Sequence, residues 1–350
     1  MLHILNGDST RLILEQTDVP GQIAVWTDVL HEGPVPYDED VDAWIRLRAR
    51  YLASNGWSSE PAILSSYRTA QSAFDSWSDH DEIVLWFEHD LYDQLLLIRH
   101  LAWWRRANRG ATRLSLICIG EYPGMEDFAG LGQLSPAQLA GLLDARIPVS
   151  DEQFDQAGAA WKAFTSKQPL AVQALIDQKR QPLPYLAGAL QRILEEYPAT
   201  GNGLPRTERQ ILEALEPAPL RVVTLFRANQ TKEERVFMGD STFWLHVLGL
   251  ADGDNPLIAI EAGAGSGNVS DPSSTSADGR GNGAGASPAS DDDDPTHEVR
   301  LTPKGRGVLE GRADWIELNG IDRWIGGVHL HGADSPWRWD RNRGVLVAAS

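Results

Sequence analysis

Over its first 150 residues the chain alternates short, nearly continuous apolar runs with segments of helical period, which restricts it to few architectures. Residues 2–5, 23–26, 83–87 and 114–119 are apolar on both faces of any strand they form. Such strands must be covered on both sides, as in a parallel sheet whose crossovers are helices. Segments 9–16, about 42–55, 67–77 and 91–108 supply the crossovers. In the last of these Leu91, Leu95, Ile98, Leu101 and Ala102 make one apolar stripe, and Arg105 and Arg106 suit the negative end of the helix dipole. The expected fold class is α/β, a Rossmann-like open parallel sheet with helices on both faces. Helical pattern continues from 135 to about 197, with Ser135-Pro136 and the acidic group Asp151, Glu152 and Asp155 marking helix starts.

A turn-rich stretch at 198–204 reads as a linker, dividing an α/β ligand-binding domain at 1–197 from a smaller domain at 205–350. The second region reads as helices at 205–215, 220–228 and 241–250, a strand at 257–260, a strand at 299–301 and a helix at 304–310. That order suits a winged-helix-like α+β domain. Its wing is interrupted at about 261–298 by an acidic Gly/Ser/Asp insert containing the run Asp291 to Asp294. The insert lacks large apolar side chains to offset ordering entropy, so disorder is expected there. Strand-like alternation returns at 328–331 and 337–347.

Charge narrows the partners. The net charge is -18. Residues 1–200 hold 16 basic and 27 acidic side chains, and only 300–350 lean basic, with 8 against 6. Phosphate neutralisation supplies much of nucleic-acid affinity, so nucleic acid is a possible but disfavoured partner. The candidate recognition helix 241–250 has no Arg, Lys, Asn or Gln to reach base edges. No apolar run approaches the roughly 20 residues of a membrane span, and no leader pattern opens the chain, so a cytoplasmic protein without a membrane partner is expected. The single cysteine, Cys118, excludes an internal disulfide and a cysteine-type zinc site, and reads as an inert buried thiol. His329 and His331 read as a surface pair, the thirteen tryptophans as packing groups, and Arg46, Arg48 and Arg50 as a solvated helix face.

Ligands of open parallel sheets bind outside the carboxyl ends of the strands, and all four ends are polar. The first runs into Asn6-Gly7-Asp8-Ser9, the second into Asp28 to His31 and on to Gly33, the third into Glu88-His89-Asp90 and then Asp93-Gln94, and the fourth into Gly120-Glu121. Asp8, Ser9, Asp28, His31 and Glu88 are the candidate catalytic groups. Asn6, Gly7, Gly33, His89, Asp90, Asp93 and Gln94 are the candidate ligand-binding groups.

The residues His3-Ile-Leu-Asn-Gly7-Asp8-Ser9, Asp28-Val-Leu-His-Glu-Gly33-Pro34, Ile83-Val-Leu-Trp86 and Asp93-Gln94-Leu95 together resemble the bacterial domain-of-unknown-function family numbered 1835 over roughly residues 1–120. The resemblance implies an α/β fold and this grouping of residues, and specifies no activity. Three chemistries fit the rim. Gly7-Asp8-Ser9 and Asp28-x-x-His31 resemble blocks of SGNH-type esterases, with Ser9 as nucleophile, His31 as base and Asp28 as its orienter, although the Gly-x-Asn-Asp block is missing. Asp8, Asp28, Glu88 and Asp90 are hard oxygen ligands suited to magnesium. A phosphorylated or nucleotide-like small molecule is the third, held by Gly7 and the helix after Ser9, without a dinucleotide fingerprint or a P-loop. The expected function is binding of, and action on, a small polar or phosphorylated ligand, with a regulatory or interaction protein as the alternative.

Overall fold

The structure is a computed structural model that describes residues 1–37, 40–107, 110–262, 297–333 and 336–348. The chain divides into two units, the first holding Met1–Leu194 with Arg323–His329, and the second the described residues of 195–322 and 330–348. No helix among the described residues is long and apolar enough to cross a membrane.

The first unit is mixed α/β. Its elements are β1 (Leu2–Leu5), α1 (Asp8–Leu14), β2 (Gln22–Val25), α2 (Val41–Ser54), α3 (Glu60–Asp75), β3 (Glu82–Glu88), α4 (Leu91–Arg106), β4 (Arg113–Ile119), α5 (Pro136–Gly141), β5 (Ile147–Pro148), α6 (Asp151–Phe164), α7 (Leu170–Ile176) and α8 (Leu186–Leu194). The strands form one sheet in the order β2-β1-β3-β4-β5, flanked by helices. The first four are parallel, with Leu5 beside both Val25 and Trp86, and Glu88 beside Ile119. The two-residue β5, too short to leave a sequence pattern, pairs antiparallel at the edge.

Strand β3 is buried along its whole length, as its unbroken apolar run requires. The sequence stripe on α4 understates its burial: every residue from Leu91 to Ile98 is buried, so the polar side chains of Asp93 and Gln94 are enclosed with the leucines. Beside it, Trp26, Phe74 and Trp104 surround His100, whose ring nitrogens have no hydrogen-bond partner among the described residues. Burial, aided by the Arg99 charge, holds that imidazole neutral by pushing its pKa well down. Helices α5 and α6 start at complete capping boxes, Ser135 with Gln138 and Ser150 with Gln153.

The second unit runs α9 (Arg206–Leu215), β6 (Leu220–Arg221), α10 (Val222–Gln230), α11 (Asp240–Ala251), β7 (Ile258–Ala262), β8 (His297–Leu301), α12 (Pro303–Leu309) and α13 (Trp315–Asn319), and after β9 (Ile321–Ile325) and β10 (Val328–Gly332), whose residues Arg323–His329 belong to the first unit, it ends with β11 (Trp337–Asp340) and β12 (Val345–Ala348). Strands β6, β8 and β7 make a small antiparallel sheet, and β11 and β12 a hairpin. Residues 220–221, expected at a helix start, are strand β6.

Two boundaries differ from expectation. The stretch 198–204 is packed into the second unit: Asn202 donates its side-chain amide to the Val308 carbonyl at 3.1 Å, Leu204 is buried, and Gly203, at φ 70°, lies against Asp314 where a Cβ would collide. Turn chemistry at that place marks a packed corner, and the division falls at Leu194. The expected insert lies outside the described residues at 263–296, but its ends are strand, with Glu261 opposite Glu298 and Ala262 opposite His297.

Candidate functional site

The order β2-β1-β3-β4 reverses direction between β1 and β3, and ligands of open α/β sheets generally bind at such a reversal. Asn6 ends β1, Glu88 ends β3, and Asp90 caps α4 by accepting from the Asp93 backbone N–H at 3.2 Å. The first turn of α4 thus brings Asp93 back toward the strand ends. Asn6 donates its side-chain amide to both Asp93 oxygens, at 3.1 and 2.9 Å, and to Glu88 Oε1 at 3.4 Å. The Glu88 backbone N–H also donates to Asp93 Oδ1 at 2.8 Å. One oxygen from each of Glu88, Asp90 and Asp93 lies within 4.8 Å of the others, and all three residues are buried.

Three buried carboxyls this close do not all stay ionised at neutral pH. Burial, with the Asp90 charge second, pushes Glu88 up to about 8. Burial, then Asp90 and Glu88, pushes Asp93 well above its ordinary range. The backbone N–H of Leu131 donates to Glu88 Oε1 at 2.7 Å. Glu88 Oε2 has no hydrogen-bond partner among the described residues, and a Cβ on Gly130 would approach it to 2.3 Å, so glycine is needed there. Gln94 fixes the end of β3 by donating to the Glu88 carbonyl at 2.6 Å, and the Cys118 thiol adds a contact to the same carbonyl at 3.5 Å. Burial pushes that thiol up to about 12, which disfavours the thiolate, although Cys118 is half-buried where the sequence suggested full burial.

The other rim candidates sit apart from this cluster or serve the scaffold. Asp8, on the first turn of α1, pairs with Arg11 at 2.7 Å and is partly exposed. Ser9 is half-buried, within contact distance of a Cβ on Gly132. Gly7 is extended and caps α1 through its backbone. Asp28 is fully enclosed and receives the Arg48 guanidinium at 2.6 to 3.2 Å on both oxygens. Commitment to Arg48 removes Asp28 from the open rim and withdraws support from its role as the orienter of His31. His31 packs edge-on against Tyr92, whose hydroxyl donates to the Asn6 carbonyl at 3.0 Å. Gly33, at φ 74°, lies against the Tyr51 ring where any Cβ would collide. His89 stacks on Phe128 and meets Tyr185 edge-on.

Arg48 corrects its assignment to a solvated face. Arg46 and Arg50 are exposed, but Arg48 is buried and also donates to the carbonyls of Glu32 and Val29 at 2.7 and 3.1 Å. The signal was present, since Trp44, Arg48 and Leu52 recur at four-residue spacing on the apolar stripe of α2. Tyr92 and the backbone of Leu131 are contributors with no sequence signal of their own. In the second unit, Glu196, Glu208 and His246 form another buried group, with His246 Nδ1 at 2.9 Å from Glu208. Comparison with protein-family models returns no match for this chain, and comparison with curated proteins returns none either.

Proposed function

We propose that the first unit holds a divalent cation of the magnesium class between Glu88, Asp90 and Asp93 and binds a small polar or phosphorylated ligand beside it. The observation that carries this is the approach of three buried carboxylates to within 4.8 Å, one of them with an oxygen that no described group engages. Oxygen ligands of this kind suit a hard cation, and burial makes the cluster hold protons until one arrives. The reversal of strand order at the same place supports a Rossmann-like sheet used in the ordinary way, with the ligand outside the β1 and β3 ends. The residues that resemble the family numbered 1835 include Asn6 and Asp93. A bound cation would polarise a phosphate or carbonyl oxygen, so hydrolysis or group transfer is the reaction class it would serve. Calorimetry with magnesium chloride in two buffers of different ionisation enthalpy tests the proposal. Binding should release protons and give buffer-dependent heats. Heats of binding that vanish, or that persist unchanged in Glu88→Gln, contradict it.

A second reading concerns the other unit. Its order of helix, strand, two helices and two strands supports a winged-helix-like module. Four basic residues of its wing and α12 region are engaged: Arg300 with Glu261, Arg306 with Glu216, Arg312 with Glu310 and Lys304 with Asn255. Helix α11 exposes Ser241 and Leu248 and no cation. These features favour a protein partner over nucleic acid. Retention of the protein by a random DNA duplex at 150 mM salt in a filter-binding assay would contradict this.

A further inference from the structure

The middle and carboxyl end of α4 carry a second constellation, about 9 to 20 Å along the helix from Asp93 at 1.5 Å per residue. A cavity of about 440 Å³ is lined there by Trp44, Arg99, Trp103, Arg106 and Trp161, from α2, α4 and α6. Cavities of small-molecule sites begin at roughly 300 Å³. The Arg99 guanidinium lies between two indoles, 4.0 Å from the Trp26 ring centre and 4.2 Å from that of Trp44. This guanidinium carries five N–H donors in its own plane. None of them meets a hydrogen-bond or ion-pair partner among the described residues. Asp28 is the carboxylate whose charge reaches Arg99, and it is bound to Arg48. Burial pushes Arg99 down to about 10, so it stays charged at neutral pH while poorly solvated. Arg106, on the same cavity, meets the Tyr37 hydroxyl at 3.4 Å and ring, and no carboxylate among the described residues. Among the described residues the cavity thus carries two guanidiniums, neither of them in an ion pair.

We propose that this cavity is a binding site for a small planar anion, its ring lying against the tryptophans and its phosphate or carboxylate reaching Arg99 and Arg106. A guanidinium fork matches either anion bidentately, and stacking against indole supplies the apolar part of the affinity. The site is independent of the carboxylate cluster and requires no cation.

Calorimetry on the full chain with adenosine 5′-monophosphate and 1-naphthoate, each against its neutral counterpart adenosine or 1-naphthalenemethanol, separates phosphate from carboxylate recognition. At least one anion should bind one per chain below 1 mM, at least tenfold tighter than its neutral counterpart. Arg99→Met should weaken it at least tenfold without lowering the melting temperature, because the substitution removes a desolvated charge. Arg106→Gln, at an exposed position, should weaken it about threefold to tenfold and keeps the test open if Arg99→Met fails to fold. Absence of binding by both anions up to 5 mM overturns the proposal. So does equal binding of the neutral compounds, or anion binding that survives both substitutions.

Discussion

Asn6 and Asp93 join the first strand to the first turn of α4, the asparagine amide reaching both carboxyl oxygens at 3.1 and 2.9 Å. The same amide touches Glu88 at 3.4 Å, so one neutral side chain organises two of the three clustered acids. Removing it leaves the buried Asp93 Oδ2 without its donor, while Oδ1 keeps the Glu88 N–H and Glu88 Oε1 the Leu131 N–H. Asn6→Ala should therefore cost about 2 kcal/mol in chemical denaturation. Asn6→Asp adds a further acid to the cluster and should be more damaging at pH 8 than at pH 5. An equal loss at both pH values would show that Asn6 acts through packing alone.

Glu88 gives the cluster a pH dependence whose sign is fixed by its raised pKa, about 8 against an ordinary 4.5. Below pH 4.5 folded and unfolded chains both hold the proton, and the group's contribution is complete. Between 4.5 and 8 the unfolded chain releases the proton while the folded chain keeps it, so stability is lost as pH rises. Glu88→Gln cannot ionise and should gain on wild type across that interval. Melting temperatures from pH 5 to 9 should converge or cross, at about 2–4 °C per kcal/mol for a unit of this size. Parallel curves would mean that Glu88 ionises normally in the folded protein.

Asp28 separates scaffold from site. Its carboxylate neutralises the enclosed Arg48, and breaking a buried pair by removing one partner costs about 3–5 kcal/mol. Asp28→Asn should show that loss in urea unfolding while leaving any magnesium-dependent stabilisation intact. A stable variant that no longer responds to magnesium would return Asp28 to the site.

Acid stability should reside at the opposite end of β3. Glu82 is held down to about 2, chiefly by the Arg146 hydrogen bond at 2.9 Å, with Ser115 donating at 2.7 Å. Because its pKa is depressed, the contribution is present above pH 4.5 and lost as pH falls toward 2. Glu82→Gln should cost about 2 kcal/mol at pH 7 and progressively less below pH 4. A loss independent of pH would assign Glu82 a role other than its charge.

The parallel strands were legible in the sequence because burial on both faces leaves no polar alternation, as in Ile83 to Phe87. The capping of α5 and most of the helices of the second unit were legible from local chemistry. Strands β5 and β6, of two residues each, are too short to write a period. At the rim, position at strand ends grouped Asn6, Glu88, Asp90 and Asp93, which the structure brings together. It also grouped Asp8 and Asp28 there, because a strand-end carboxylate looks the same whether it faces a crevice, a surface arginine or a buried one. Which of these occurs depends on residues distant in the chain: Arg48 for Asp28, and the Gly130–Leu131 backbone for Glu88.

Manganese, a paramagnetic stand-in for magnesium, tests the cation site most directly. Electron paramagnetic resonance titration at pH 8 counts bound ions on wild type, Glu88→Gln and Asp93→Asn, the variants controlling for weak binding at Asp291 to Asp294. The cluster predicts one site per wild-type chain that tightens as pH rises from 7 to 9 and is lost in both variants. A wild-type chain without that site, or one whose manganese binding is unchanged by both substitutions, would contradict the assignment of Glu88, Asp90 and Asp93 as cation ligands.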